Sequence, residues 1–473
     1  MSFRRSWPLA IILVFIFATA SNAQTPPQKE AREIFQQLIE INTTDSVGNV
    51  TTAAEAMAAR LRAAGFPDAD IKVAGPTDKK KNLVLRYHGT GAKKPILFIG
   101  HLDVVEARRE DWTVDPFKFL ERDGYFYGRG TEDMKEGDAL LVETFLRLKR
   151  ENFQPDRDLI LALTADEEGG NHNGINWLLK EHRDWIEAEY CINLDGGEFE
   201  KLKGKRILAG LQAAEKVYVD FNWETTNPGG HSSVPTPDNA IYELSLALIR
   251  LQNFSFPVKV SEITRNYFEK SAALTTGALA DDLRGAAKNP PDPEAIKHLS
   301  ANPYYNSLLR TTCVATMLTA GHAQNALPQS ARANVNCRIF PGEDPEEVRK
   351  TLERVAADPK VKITMSLEND FNNQPIPIVA VPPSPLIPEL SSALEHSISE
   401  MWQPLPVVPS MSTGATDGHF LRSAGIPTYG IACMFFDMED DRAHGQDERV
   451  GVQDFYEGVD FTYRFIKRLS GGK

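Results

Sequence analysis

Cysteine is scarce in this chain, with four in 473 residues. So few thiols exclude a disulfide framework, and none has the spacing of a zinc finger. Any metal must therefore be held by histidines and carboxylates. Cys313 and Cys337 fall in two strand-like runs, where they could pair across a sheet or stay as buried free thiols. Positive charge is also in deficit: 52 Lys and Arg stand against 65 Asp and Glu, a formal net charge of −13. That balance argues against a nucleic-acid partner, and the Lys79-Lys80-Lys81 run reads as a solvated loop. Beyond the N-terminus no run is apolar enough to span a bilayer, so no stable membrane insertion is expected. Internal repeats and low-complexity segments are missing as well.

The one apolar stretch, 9–17, follows Arg4 and Arg5 and leads to small residues ending at Ala23. This is the pattern of a cleavable signal peptide over 1–23, so the mature chain is expected to be secreted or periplasmic. Its removal leaves a net charge of about −15. The chain that remains exceeds what one core usually supports, which predicts two domains.

From about 28 to 210, helical and strand patterns alternate. Helices are expected over 28–41, 52–64, 137–150 and 175–182, and strands over 82–87, 95–100, 159–165 and 190–194. Such alternation predicts an α/β fold with a mainly parallel sheet flanked by helices. After about 211 the pattern becomes strands at 216–223, 311–318 and 331–340 with helices at 238–251 and 345–356, an inserted α+β unit. The polar stretch 266–306 reads as an elaboration of that insert. Pro-rich 375–388 reads as a return linker, followed by helix 388–401, strand 427–432 and helix 452–469. The expected division is a catalytic domain over 24–211 and 375–473, with an inserted lid or dimerisation domain over 212–374.

In open α/β sheets ligands gather beyond the carboxyl ends of the strands. His101 and Asp103 follow the first such strand. Asp133 lies in the loop G-R-G-T-E-D-M-K, Glu167-Glu168 close the strand 159–165, and Asp195 follows 190–194. His444 lies in H-G-Q-D-E-R, past the strand 427–432. Taken singly, these read as a strand-end histidine, a turn former, a solvated acidic pair, a loop cap and a surface histidine. On successive strand ends they form a set of nitrogen and oxygen donors suited to zinc, manganese or cobalt. The donors exceed the needs of one ion, so two ions bridged by a carboxylate are expected.

H-L-D-V-V, G-R-G-T-E-D-M-K, D-E-E-G, the Asp195-Gly196-Gly197 turn and H-G-Q-D-E-R, in that order, resemble the signatures of the co-catalytic di-zinc exopeptidases. That family includes carboxypeptidase S, glutamate carboxypeptidase, carnosine dipeptidase and the aminoacylases. The resemblance runs from about residue 28 to the C-terminus. It implies two divalent ions, most readily Zn²⁺, with Asp133 bridging, Asp195 sharing the ion of His101, and His444 sharing that of Glu168. It implies that Asp103 holds the His101 imidazole in its tautomer and that Glu167 is the general base. G-G-H-S-S at 229–233 resembles the family's dimerisation-domain motif, implying a homodimer in which His231 reaches the partner's site and steadies an oxyanion. Arg338 and Asn325 match substrate-contacting positions, Arg338 for a free carboxylate. Gly414 and Thr416, in S-T-G-A-T-D-G, match a substrate-contacting loop in which Asp417 could equally cap a helix. Two residues depart from the family: Glu136 where Gly usually follows Lys135, and Glu106 where Pro is common. His172, His322 and His419 read as neighbours of the site.

The expected function is a secreted metal-dependent exopeptidase that removes the C-terminal residue of short peptides or splits dipeptides. Hydrolysis of N-acyl amino acids would use the same site, and an inactive binding or scaffold protein is the reading from another class.

Overall fold

The computed structural model describes residues 24–367 and 369–471. The expected signal peptide lies outside the described residues. Ten strands form one large sheet. Its order is Ile71–Thr77, Lys80–Tyr87, Leu159–Thr164, Ile96–His101, Tyr190–Asn193, Thr428–Gly430, Lys205–Glu215, Phe199–Leu202 and Phe435–Asp437, with Val407–Ser412 also pairing with Lys205–Glu215. The four strands from Leu159–Thr164 to Thr428–Gly430 run parallel, while Ile71–Thr77 and Lys80–Tyr87 are antiparallel additions at one edge.

The central strands are apolar along their length because helices cover both faces. In Ile96–His101 every residue is buried, and alternate side chains part to opposite faces. Ile96 and Phe98 join the core under the helices Lys135–Arg150 and Val452–Leu469. Leu97 and Ile99 join the core with Ile175, Leu178 and Leu421, from the helices Gly174–Glu181 and Gly418–Ser423. Because these strands are parallel, their carboxyl ends open on one edge, the edge that carries His101, Glu167, Glu168 and Asp195.

A second, four-stranded sheet is antiparallel throughout, in the order Thr312–Ala320, Ser330–Ile339, Val217–Thr226 and Lys362–Ser366. Val217–Thr226 alternates buried and outward residues. Its Val217, Val219, Phe221 and Trp223 pack with Leu244 and Ala247 of helix Ala240–Gln252 and with Val348 and Leu352 of helix Pro345–Ala356. Cys313 and Cys337 face each other across two of these strands and form a disulfide; Cys191 and Cys433 are buried free thiols. The small sheet begins directly where the large one is left: Lys216 alone separates Lys205–Glu215 from Val217–Thr226.

The polar stretch at 266–306 corrects the sequence expectation. It belongs to four helices, Glu262–Leu274, Ala278–Ala287, Pro293–Ser300 and Pro303–Leu309. Their apolar sides, including Ile263, Phe268, Leu283 and Leu299, join the core of the large sheet and not that of the small one. Lys270 Nζ also donates to the Val407 carbonyl at 2.7 Å. A second correction concerns Lys80. It is buried in Lys80–Tyr87, and its ammonium pairs with Asp45 at 2.8 Å and with buried Asp166. The lysine run is therefore not simply a solvated loop.

Candidate metal centre

Four of the expected ligands form a continuous chain of contacts. His101 Nε2 lies 3.0 Å from Asp133 Oδ1, and His444 Nε2 lies 3.0 Å from Asp133 Oδ2 and 2.8 Å from Glu168 Oε1. Asp133 therefore stands between the two imidazoles, one carboxylate oxygen to each. Donor atoms of His101, Glu167 and Asp195 lie within 4.8 Å of one another, as do those of His101, Asp133 and Glu168.

The electrostatics of the cluster suit cations. Burial opposes a charge on His101, but the Asp133 hydrogen bond and the Glu167, Asp133 and Asp103 charges outweigh it and hold the imidazolium well above its usual range. Hydrogen bonds to Asp133 and Glu168 push His444 up to about 10. Burial, with Asp195 and Asp417 nearby, raises Glu167, and burial with Asp133 nearby raises Asp195. The site holds more carboxylates than its two imidazoles can balance, and the donors are all hard or borderline. That donor set fits divalent ions.

Each piece of this rim is held by a second group. Asp166 has φ 57°, in the left-handed region, where the chain turns out of Leu159–Thr164; its carboxylate is anchored by Lys80. The turn aims the Glu167 and Glu168 amides at Asp103, whose two carboxylate oxygens accept them at 3.2 and 3.0 Å. Asp103 thus differs from the expectation. Its main-chain carbonyl, 3.0 Å away, meets His101 Nδ1, while its nearest carboxylate oxygen to that atom is 3.8 Å distant. The carboxylate instead fixes the backbone of the acidic pair.

Sequence reading missed Glu448, although it belongs to H-G-Q-D-E-R. Fully buried, it accepts the Gly130 amide on one oxygen at 3.1 Å, and the Glu132 and Asp133 amides on the other at 2.7 and 3.1 Å. It is also ion-paired to buried Arg129, which donates to the carbonyls of His444 and Gly445. One buried ion pair therefore ties the Asp133 loop to the His444 loop. The Asp133-Met134 peptide is cis. Of the two departures noted in the sequence, Glu106 accepts the Ser46 amide and hydroxyl at 3.0 Å each. Glu136 is buried at the start of Lys135–Arg150 with one oxygen lacking any hydrogen-bond partner.

A cleft of about 630 Å³ joins the two sheets. Glu167, Glu168, Gly414 and Thr416 line it from the large sheet, and Tyr218 and Arg338 from the small one. The Arg338 guanidinium lies 4.6 Å from the Tyr218 ring centroid. Among the described residues no carboxylate lies within ion-pair distance of it. Thr416 is already engaged: its hydroxyl donates to Glu215 at 2.9 Å and accepts the Gly418 amide at 3.1 Å. Asp417 precedes helix Gly418–Ser423 but makes no capping bond. It accepts from Asn173 at 2.6 Å and Thr164 at 2.8 Å, and burial raises it to about 6. His419 lines the same cleft, and burial with Arg422 nearby lowers it to about 4.

His231 and Asn325 lie elsewhere. They meet on a two-stranded ribbon, Gly230–His231 against Ala326–Leu327, where the Ser232 amide donates to the Asn325 carbonyl at 3.1 Å. His231 is exposed, and its Nδ1 contacts come from Ser233. Neither residue lines the cleft of its own chain.

Residues 97–468 match the sequence model of Peptidase family M20/M25/M40. The chain is 30% identical over 388 residues to a probable carboxypeptidase S-like 2 of Dictyostelium discoideum, covering 79% of this chain and 71% of that protein. It is 28% identical over 386 residues to the N-fatty-acyl-amino acid synthase/hydrolase PM20D1 of Mus musculus, covering 79% and 74%. The fold is similar to that of the M20 family metallo-carboxypeptidase Sso-CP2 from Sulfolobus solfataricus. There the TM-score is 0.68 at 17% identity, with 93% of this chain and 99% of that one covered.

Proposed function

The chain belongs to peptidase family M20/M25/M40, and from that premise we propose a metal-dependent exopeptidase that cleaves the C-terminal bond of short peptides or splits dipeptides. The observation that carries this reading is that Arg338 and Glu167 line one cleft. A guanidinium at one end suits a free carboxylate, and a carboxylate beside the ligand cluster suits a base at the scissile bond.

His101, Asp133, Glu168, Asp195 and His444 would hold two divalent ions, most readily Zn²⁺, with Mn²⁺ or Co²⁺ compatible with the same donors. Such a pair, when bound, supplies a Lewis acid and an acidified water. Arg338 fixes the substrate carboxylate. Glu167 takes a proton from the attacking water and passes it to the leaving nitrogen. Asp103 keeps the Glu167 main chain in place, and Gly414 and Thr416 border the bound substrate.

His231 and Asn325 act from a second copy of the chain. Two observations support a dimer on the small sheet. Val314, Met317 and Leu318 are exposed on the edge strand Thr312–Ala320. Tyr242, Leu246 and Ile249 form an exposed apolar stripe on helix Ala240–Gln252. An edge strand beside an apolar face is a usual site for a partner. The Cys313–Cys337 disulfide supports an exported protein, since such bonds persist in oxidising compartments.

N-acyl-amino acid hydrolysis is the second reading, favoured by the relative named for N-fatty-acyl-amino acids. Both readings put a carboxylate on Arg338. The test is a panel of dipeptides, tripeptides and N-acyl amino acids, each as the free acid and the C-terminal amide. Free acids should be cleaved and amides should lose most of their kcat/KM; amides cleaved as well as acids would overturn the reading.

A further inference from the structure

On the other side of the ligand cluster from Arg338 lies a second cavity, of about 290 Å³. It shares no lining residue with the Arg338 cleft. The two nevertheless meet at the cluster. Asp133 and Asp195 line the chamber, Glu167 and Glu168 line the cleft, and their donor atoms come together around His101. A substrate with its carboxylate on Arg338 and its scissile bond at Glu167 would then have the chamber on its amino side.

The chamber is acidic without compensation. Besides the two ligands it is lined by Glu132, Glu136, Glu198, Glu200, Asp437 and Asp441, and by no Lys, Arg or His. Among the described residues none of these six carboxylates has an ion-pair partner, although Glu132 accepts the Arg442 amide at 2.8 Å and Asp437 the Glu439 amide at 3.1 Å. Glu136 is the most telling. The residue is 3% exposed, and one carboxylate oxygen has no hydrogen-bond partner. A buried acceptor left open in a cavity wall is costly unless a donor completes it. The remaining wall includes Met134, Leu194, Phe436 and Met438, surface that suits an alkyl stem.

The arrangement suits an organic cation better than a third metal ion. The only donor sets gathered to ligating distance among the described residues contain His101, so the chamber acids are spread too widely for one ion. The volume matches about ten waters of liquid, room for one residue.

We propose that this chamber is the subsite for the residue on the amino side of the scissile bond, and that it takes an ammonium or guanidinium group. The proposal rests on the function given above and narrows it, from carboxylate-ended amides in general to peptides that carry positive charge next to the cleaved bond. That charge has two sources, a free α-amine or a basic side chain.

The test uses the metal-loaded enzyme and four substrates: Lys-Ala, norleucyl-Ala and the N-acetyl form of each. Acetylation removes the α-ammonium, and norleucine removes the side-chain ammonium while keeping the stem. At least one of the two changes should lower kcat/KM by roughly 10–100-fold, mainly through KM, and which one does so identifies the source. Glu136→Gln and Glu198→Gln should each shrink that ratio, whichever way the absolute rates move. Equal kcat/KM for all four substrates would overturn the proposal. So would a ratio unchanged in both variants, or better turnover of long neutral N-acyl-alanines. A third ion per chain that disappears in Glu136→Gln would make the chamber a metal site and also overturn it. If C-terminal amides are cleaved as well as acids, the underlying function fails; if acids are required but cations are not preferred, only this inference fails.

Discussion

The metal-facing rim and the His231 ribbon carry groups of similar chemistry under opposite conditions. On the rim a second buried group fixes many of the functional elements: Glu448 the Asp133 loop, Asp103 the Glu167-Glu168 backbone, Lys80 the turn at Asp166. On the ribbon His231 is exposed and touched by its own turn. Preorganised groups can act as they stand, whereas an exposed imidazole held only by its own turn needs something else to orient it. The contrast separates what one chain supplies from what a neighbour would have to complete.

The strongest way to break that contrast is at Glu167. Glu167→Gln should lower kcat by roughly 10²–10⁴ while elemental analysis still finds the metal; activity near wild type would remove Glu167 as the base. Next comes the ribbon. Mixed His231→Ala and His444→Ala chains, each inactive alone, should regain activity as heterodimers, and no recovery despite demonstrated subunit exchange would return His231 to a role within its own chain. Glu448→Gln should weaken metal binding by roughly 10–100-fold, read by competition with a chelating dye. An unchanged affinity would show that the Asp133 loop holds its shape without that carboxylate.

The smallest effect expected is on stability against pH. His419 titrates at about 4 in the fold, below its ordinary 6.5. Its contribution is therefore fully present above the ordinary value and is lost as pH falls through about 4. His419→Gln should lose less melting temperature than wild type between about pH 7 and about pH 4. Parallel melting curves would argue that His419 is as easily protonated folded as unfolded.

His101 and Glu168 were legible because each closes or follows a parallel strand with a recognisable apolar run, and such strands deliver their ends to one edge. Asp133 and His444 lie in longer loops, and the order of the motifs was what assigned them to the same cluster. Glu448 was not legible as an anchor. Its partners, Glu132 and Asp133, lie more than 300 positions away, and a buried carboxylate next to Arg449 looks in sequence like half of a surface pair. Lys80 was hidden by its charged neighbours for the same reason. The helices from Glu262–Leu274 to Pro303–Leu309 could be taken as part of the insert because chain order says where a segment starts, not which core its apolar side finds. The main-chain contacts of Asp103 carry no sequence signal at all.

Those helices have a mechanical consequence. The described chain passes between the two cores at Lys216, between Phe256 and Ile263, between Leu309 and Cys313, and between Val381 and Leu386, and Phe340 reaches the large core from between Ile339 and Val348 of the small one. A unit on two adjoining linkers can swing as a door; one tied at several separate points moves only if all the ties flex together. Arg338 rides on the tethered unit and Glu167 on the other, so on the proposed reading the gap between them would behave as a ruler. If substrates bind as proposed, they would be sorted by the distance from carboxylate to amide before any side chain is felt, and lengthening that distance by one methylene, as in a C-terminal β-alanine, would read the ruler directly.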